Sequence, residues 1–240
     1  LSIDSLNYEY SGSGLIGYFG QIKNLLNYQH WKQLINIRKF YLSAEKNIVK
    51  YNKNTSLEEF LRSEKYPNYF IQNHVIPMCS AIWSCNPEKM LDYPAFDFVR
   101  FFANHGLFKI SKRPLWKSII GGSMRYVDGI LNSSSFDTKL NTEITEIKKD
   151  GNKYEVYFGD GEKESFDKLI FATPANESCK IIKPLNPELA KILEKFEYQE
   201  NMAILHNDAS QMPKTKKLWS SWNYIKKDNI KDSDNLSITY

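Results

Sequence analysis

A pair of adjacent glycines constrains this chain more than any other feature. Trp116-Lys117-Ser118-Ile119-Ile120 reads as an extended segment and runs into Gly121-Gly122-Ser123. Two glycines in succession permit backbone angles closed to other residues and let another group approach the main chain. An apolar-periodic stretch from Met124 to Leu131 follows and predicts a helix. Three β-like runs come next, at 140–148, 153–158 and 164–171. Asp150-Gly151-Asn152 and Asp160-Gly161 between them have hairpin chemistry. The last run ends Leu169-Ile170-Phe171-Ala172-Thr173-Pro174-Ala175. Helix and strand signals mixed in this way predict a mixed α/β (α+β) chain.

The region before the glycine pair reads mostly as helix. Residues 1–10 alternate well enough for a strand, and the Gly- and Ser-rich residues 11–20 for a loop. From Gln21 to Tyr51 apolar side chains recur at helical spacing, giving two helices or one bent one. Thr55-Ser56-Leu57-Glu58-Glu59 has the pattern of a capping box opening a helix to about Arg62. Tyr69 to Ile76 predicts another helix, which Pro77 should interrupt. Asn86-Pro87 reads as a helix start or turn. Pro94 opens a helix over Ala95–Asn104, with Gly106 as its C-cap. After the meander, Asn186-Pro187-Glu188 opens a helix to about Phe196. Strands are expected at 199–206, 217–222 and from Leu236 to Tyr240.

Composition narrows the function classes. At 240 residues the chain can bury a sizeable core as one large domain or two small ones. Its 15 Tyr, 14 Phe and 5 Trp suit both a core and an apolar small-molecule cavity. A net charge of +4 is mild, and the short clusters Lys214–Lys217 and Lys226-Lys227 read as solvated loops, not a nucleic-acid surface. No run approaches the ~20 apolar residues of a spanning helix, and the mean hydropathy is −0.51. Peripheral contact with a membrane and the oligomeric state stay open. Cys79, Cys85 and Cys179 lack a metal-ligand spacing and read as free thiols in a reducing, cytoplasmic compartment. No metal site is expected.

Gly12-Ser13-Gly14-Leu15-Ile16-Gly17 matches G-x-G-x-x-G to the letter. A dinucleotide turn needs a near-continuous apolar strand before it and a strand ending in an acid ~20 residues later. Asn7-Tyr8-Glu9-Tyr10-Ser11 is polar and alternating, and residues 30–40 read as helix. The match is therefore read as a loop.

Several segments together carry a family resemblance. Asn73 through Ser84, Phe101 through Leu107, Arg113 through Val127, Leu169 through Ala175 and Tyr198 through Tyr224 resemble, in order, segments of bacterial FAD-dependent oxidoreductases of the flavin-containing amine oxidase superfamily. The resemblance implies an internal portion of a longer protein: part of an FAD/NAD(P)-binding Rossmann-like domain at 112–175, and portions of a helical and antiparallel-sheet substrate domain at 1–111 and 176–240. It implies that the main Gly-rich phosphate turn lies upstream of Leu1 and further FAD contacts beyond Tyr240, so the chain alone is expected to be inactive. FAD is the implied cofactor. Gly121, Gly122 and Ser123 resemble the glycine segment beside it, with Arg125 nearby. Met124 stands where relatives tend to carry a basic residue. Ile144 resembles the position whose backbone pairs with the adenine. Ala172, Thr173 and Pro174 resemble the strand end near the nucleotide.

Substrate-cavity candidates are Met78, Ile82, Trp83, Trp219, Trp222 and Tyr224; singly, each also suits a core. His74, His105 and His206 are the acid–base candidates, and none is assigned as catalytic. No Ser-His-Asp or paired-carboxylate arrangement is visible. Flavin chemistry needs none, since the cofactor accepts the hydride. The reading that follows is FAD-dependent oxidation of a C–N or C–C bond in an apolar small molecule of amine, polyene or fatty-acyl type. A flavin-dependent isomerase or mutase without net redox, and a non-enzymatic binding module, are the alternatives.

Overall fold

A computed structural model describes residues 1–3, 6–84, 87–109, 117–198, 200–226 and 237–239. Cys85, Asn86, Arg113, Trp116, Gln199, Lys227, Leu236 and Tyr240 lie outside the described residues. The chain forms two compact units. The first is Leu1–Trp116 together with Asn201–Tyr240, and the second is Lys117–Glu200.

In the first unit, residues 1–10 form two short strands where one was expected. β1 (Ser2–Ile3) and β2 (Tyr8–Glu9) pair antiparallel, with Asn7 at φ +44° before β2. Alternation is the same for one strand and for one that doubles back, so period alone does not separate them. Residues 11–20, expected as loop, contain the helix α1 (Gly14–Tyr18). A Cβ on Gly17 would lie 2.4 Å from Ser11 Oγ, so this turn closes tightly on the segment before it.

The stretch from Gln21 to Tyr51 is a 3₁₀ turn, Ile22–Leu26, followed by the long helix α2 (Tyr28–Ile48). The Asn27 side chain accepts from the Gln29 and His30 amides and starts α2 there. α3 (Leu57–Ser63) opens with Ser56 and Glu59 in a reciprocal capping box. Pro77 does not interrupt its helix. α4 (Asn68–Phe70), a π turn over Ile71–Val75 and α5 (Ile76–Trp83) run on continuously, with Pro77 in the first turn of α5. A π turn, wider than an α turn, lies just before the ring. α6 (Pro87–Leu91) follows, then α7 (Ala95–Asn104), with Gly106 at φ +64° past its end. Phe40, Phe60, Phe70, Phe98 and Phe102 are fully buried between these helices. Phe98 and Phe102 have centroids 4.3 Å apart, and Phe40 meets Phe70 edge-on at 5.6 Å.

The chain returns to this unit at Asn201. Among the described residues the strand expected over 199–206 does not form. Residues 201–208 have no regular structure, and Met202 and Leu205 are exposed to solvent. The strand expected at 217–222 is instead a 3₁₀ turn, Lys216–Leu218, and a bend. Asn223 closes that bend by accepting from the Ser220 amide and donating to the Ser220 carbonyl. β6 (Asn223–Lys226) starts there and pairs antiparallel with β7 (Ser237–Thr239). β1 pairs parallel to β6, completing a mixed sheet of order β2-β1-β6-β7.

The second unit begins with the glycine pair and α8 (Met124–Ser133). β3 (Ile144–Asp150), β4 (Lys153–Phe158) and β5 (Lys163–Phe166) form an antiparallel meander in that order. Gly151, at φ +57°, makes the first hairpin turn. The third run was expected to continue to Phe171. Among the described residues no strand lies beside Leu169–Phe171, so the segment forms no ladder: Leu169 and Phe171 pack on the meander core while Ile170 is 93% exposed. α9 (Ala175–Ile182), which the sequence reading did not include, and α10 (Pro187–Leu193) complete the unit. Asn186 caps α10 by accepting from the Leu189 amide.

Candidate functional site

The first unit holds a half-open cavity of about 440 Å³. One face of the π turn and α5 supplies His74, Pro77, Met78, Ala81 and Ile82, which recur every three or four residues. Ser11, Gly12 and Ser13 form a second wall. Ser220, Ser221, Trp222 and Tyr224 form a third, and Tyr10, Tyr41 and Leu107 contribute between them. The lining is predominantly apolar and aromatic. Among its described residues none is an acid, and His74 is the side chain that ordinarily titrates near neutrality. Such a surface suits an apolar molecule with few polar groups.

The polar groups at the cavity are ordered by a proline. Pro77 has no N–H to offer the Asn73 carbonyl four residues earlier. The Tyr10 hydroxyl donates to that carbonyl instead, at 2.9 Å. The same hydroxyl lies 2.9 Å from His74 Nδ1. With its one proton committed to Asn73, Tyr10 accepts from His74, which places the imidazole proton on Nδ1. His74 Nε2, 3.2 Å from the Tyr41 hydroxyl, then accepts from Tyr41 in the neutral ring. Burial, reinforced by Tyr8, pushes the Tyr10 hydroxyl well above its usual pKa, so it remains protonated. Behind this chain, Tyr8 bonds His30 Nδ1 at 2.8 Å, and burial lowers the His30 pKa. His105 stacks on Phe101 at 4.0 Å and His206 meets the Asp208 amide; neither lines the cavity.

Of the six residues singled out for the cavity, Met78, Ile82, Trp222 and Tyr224 line it. Trp83 and Trp219 are not among the lining residues. Trp83 packs in an aromatic cluster, 4.9 Å from Phe101 and 5.8 Å from Tyr93. Trp219 donates its indole N–H to the Pro213 carbonyl. Tyr10 and Tyr41 escaped the sequence reading. The signal for Tyr10 is indirect: a carbonyl four residues before a helical proline needs another donor, but the sequence does not say which side chain provides it.

In the second unit Gly121 and Gly122 sit at φ +84° and +86°, both in the left-handed region that favours glycine. Nothing lies within 4 Å of a Cβ built on Gly122, so the space in front of the turn is open. A Cβ on Gly121 would meet Arg125 Nε at 2.9 Å, so a cationic side chain lies over Gly121. Ser123 precedes α8 without a side-chain capping bond. Ile144 opens β3 at an irregularity in register and on a strand with one free edge, where backbone groups have no strand partner among the described residues. Ala172 is exposed, Thr173 shares a 2.6 Å hydrogen bond with Ser178, and Pro174 precedes α9. An open glycine turn with an arginine beside it, and a free strand edge, fit a phosphorylated nucleotide cofactor.

The literal G-x-G-x-x-G match follows β2, an antiparallel edge strand, and leads into a five-residue helix. That is not a βαβ unit. Gly12 and Ser13 instead belong to the cavity wall. Among the described residues no three or more His, Cys, Asp or Glu gather to hold a metal, and Cys79 and Cys179 are buried thiols outside any disulfide. No helix described is long and apolar enough to cross a membrane.

Comparison with known proteins gives one family. The sequence pattern of the flavin containing amine oxidoreductases matches residues 21–205. No individually curated protein matches the chain.

Proposed function

Because the chain belongs to the flavin-containing amine oxidoreductase family, we propose that it forms part of an FAD-dependent oxidoreductase that oxidises a C–N or C–C bond of an apolar small molecule. The observation that carries the substrate side is the aromatic cavity of the first unit, with no acid among its described lining residues. Met78, Ile82, Trp222 and Tyr224 are assigned to the apolar contact surface, and the His74–Tyr41 pair to orienting one polar group of the substrate. Substrate seated between these walls would be partly shielded from water.

On the cofactor side, 112–175 is assigned to the FAD-binding portion. Gly121, Gly122 and Ser123 would face the cofactor, Ile144 would offer backbone groups, and Ala172, Thr173 and Pro174 would let the nucleotide pack closely. When bound, the flavin supplies the acceptor for the substrate's hydride. The three cysteines are the basis for proposing a reducing, cytoplasmic setting.

The test is the visible spectrum of the purified full-length protein, followed by anaerobic mixing with amines, polyenes and fatty-acyl compounds. The oxidised-flavin band is expected, and one compound class should bleach it. A full-length protein that neither carries nor takes up flavin would sink the proposal.

A further inference from the structure

The outer face of α2 carries a stripe that the core does not use. Its buried residues, His30, Gln33, Ile37, Phe40, Ala44 and Ile48 among them, mark the face turned inward. Tyr28, Trp31, Ile35, Leu42 and Val49 are all exposed. At 100° per residue these five fall within about 60° of one another and about 150° from the centre of the buried face. A helix that needed only one apolar face to fold has a second. Towards the N-terminus, Leu15 and Ile16 of α1 and Ile22 and Leu26 of the 3₁₀ turn are exposed as well, Leu26 at 94%. Leu15 is two residues beyond Ser13, a wall residue of the cavity.

Charge is concentrated in the same segment. Residues 21–51 hold six basic side chains (Lys23, Lys32, Arg38, Lys39, Lys46 and Lys50) against one acid, Glu45. The rest of the chain has the remaining 26 of its 32 Lys and Arg but 27 of its 28 Asp and Glu. The excess positive charge of the molecule therefore resides in this one stretch. All six cations are exposed, and none joins an ion pair with a carboxylate among the described residues, whereas Lys139, Lys163, Lys180, Lys183 and Lys191 of the second unit all do. On α2 the lysines at 32, 39 and 46 flank the apolar stripe on one side and Arg38 on the other.

We propose that the segment from α1 through α2 binds the surface of an anionic phospholipid membrane, with the stripe Tyr28, Trp31, Ile35 and Leu42 in the interface and the flanking cations at the lipid headgroups. The combination of an apolar stripe, aromatic residues at its start and a surplus of cations without carboxylate partners is the physical signature of a helix lying in the plane of an interface. The surplus of positive charge around the stripe favours an anionic surface, and a bilayer interface accommodates a helix-long apolar stripe with cations along its edges.

The experiment is flotation of the full-length flavin-loaded protein with phosphatidylcholine vesicles, with and without about one third phosphatidylglycerol, the mole fraction chosen to give a strongly anionic surface. Binding to the anionic vesicles is expected, with little to the neutral ones and with loss in high salt. Lys32→Gln with Lys46→Gln should weaken binding by roughly 30-fold, since each basic residue near such a surface contributes about five-fold. Ile35→Ser with Leu42→Ser should abolish it, while circular dichroism and the flavin spectrum stay unchanged, because both side chains point away from the core. Equal binding to both vesicle types, absence of binding, or indifference to both double variants would overturn the proposal. A self-associated state in lipid-free buffer that Ile35→Ser with Leu42→Ser dissociates would overturn it as well, by assigning the face to a second copy.

Discussion

At the scale of single residues, the Tyr10 hydroxyl holds more of the site together than any group the sequence singled out. It donates to the Asn73 carbonyl that Pro77 leaves without its helical donor, and accepts from His74. Tyr10→Phe is therefore expected to destabilise the first unit by about 2 kcal/mol, the cost of leaving buried polar groups unpaired. In the Pro77→Ala background the loss should be smaller, because that substitution restores a backbone N–H within reach of the Asn73 carbonyl. A double-mutant cycle in urea measures the coupling, and additive costs would refute the link. Glycines, prolines and caps are legible in sequence because each acts on its own backbone. Tyr10 was not, because its partners stand more than 60 residues away.

At the scale of elements, local signals held where one segment contains both halves of the interaction. The capping box of α3 needs only Ser56 and Glu59, three residues apart, and both bonds form. Ser56→Ala should cost about 1 kcal/mol, read as a drop in the thermal midpoint of the first unit. The strands expected at 164–171 and 199–206 were not formed as read, because a strand exists only with a neighbour, and apolar runs do not say whether one is available. The glycine pair lies between these cases. Its positive φ values follow from its own sequence, but its use depends on a ligand. Gly122→Ala should cost about 1–2 kcal/mol of backbone strain. In the full-length protein it should also weaken flavin retention beyond that loss of stability, because a methyl group would intrude on the open space before the turn. Gly151→Ala, at φ +57° in a hairpin, introduces comparable strain away from the proposed cofactor surface. Flavin titration of the two variants separates the effects: equal weakening would remove the glycine pair from the cofactor site.

At the scale of the molecule, the first unit is assembled from two stretches of chain with the second unit between them in sequence, and one buried carboxylate joins those stretches. Glu9 is 1% exposed and accepts from Ser2 Oγ, Gln21 Nε2 and the amides of Lys214 and Thr215. Burial alone would raise its pKa; the hydrogen bonds from Thr215, the Lys214 amide and Ser2 outweigh burial and hold it below the usual carboxylate value. No sequence pattern announces such a bond, since its ends lie more than 200 residues apart. It gives the unit a pH dependence with a fixed sign. For Glu9 and His30 alike the folded pKa lies below the unfolded one, so the unfolded chain binds more protons as pH falls and stability falls with it. The His30 contribution is lost first, as pH drops below about 6.5, and that of Glu9 below about 4.5. Trp31, Trp83, Trp219 and Trp222 belong to this unit, so tryptophan fluorescence reports its unfolding. The urea midpoint by tryptophan fluorescence should therefore decline from pH 7 to pH 5.5 and again towards pH 4. His30→Gln should flatten the first decline. Glu9→Gln should lower the midpoint at pH 7 by an amount equivalent to about 2 kcal/mol and flatten the second decline. A second decline of undiminished slope in Glu9→Gln would mean that Glu9 is not the group whose protonation weakens the unit there.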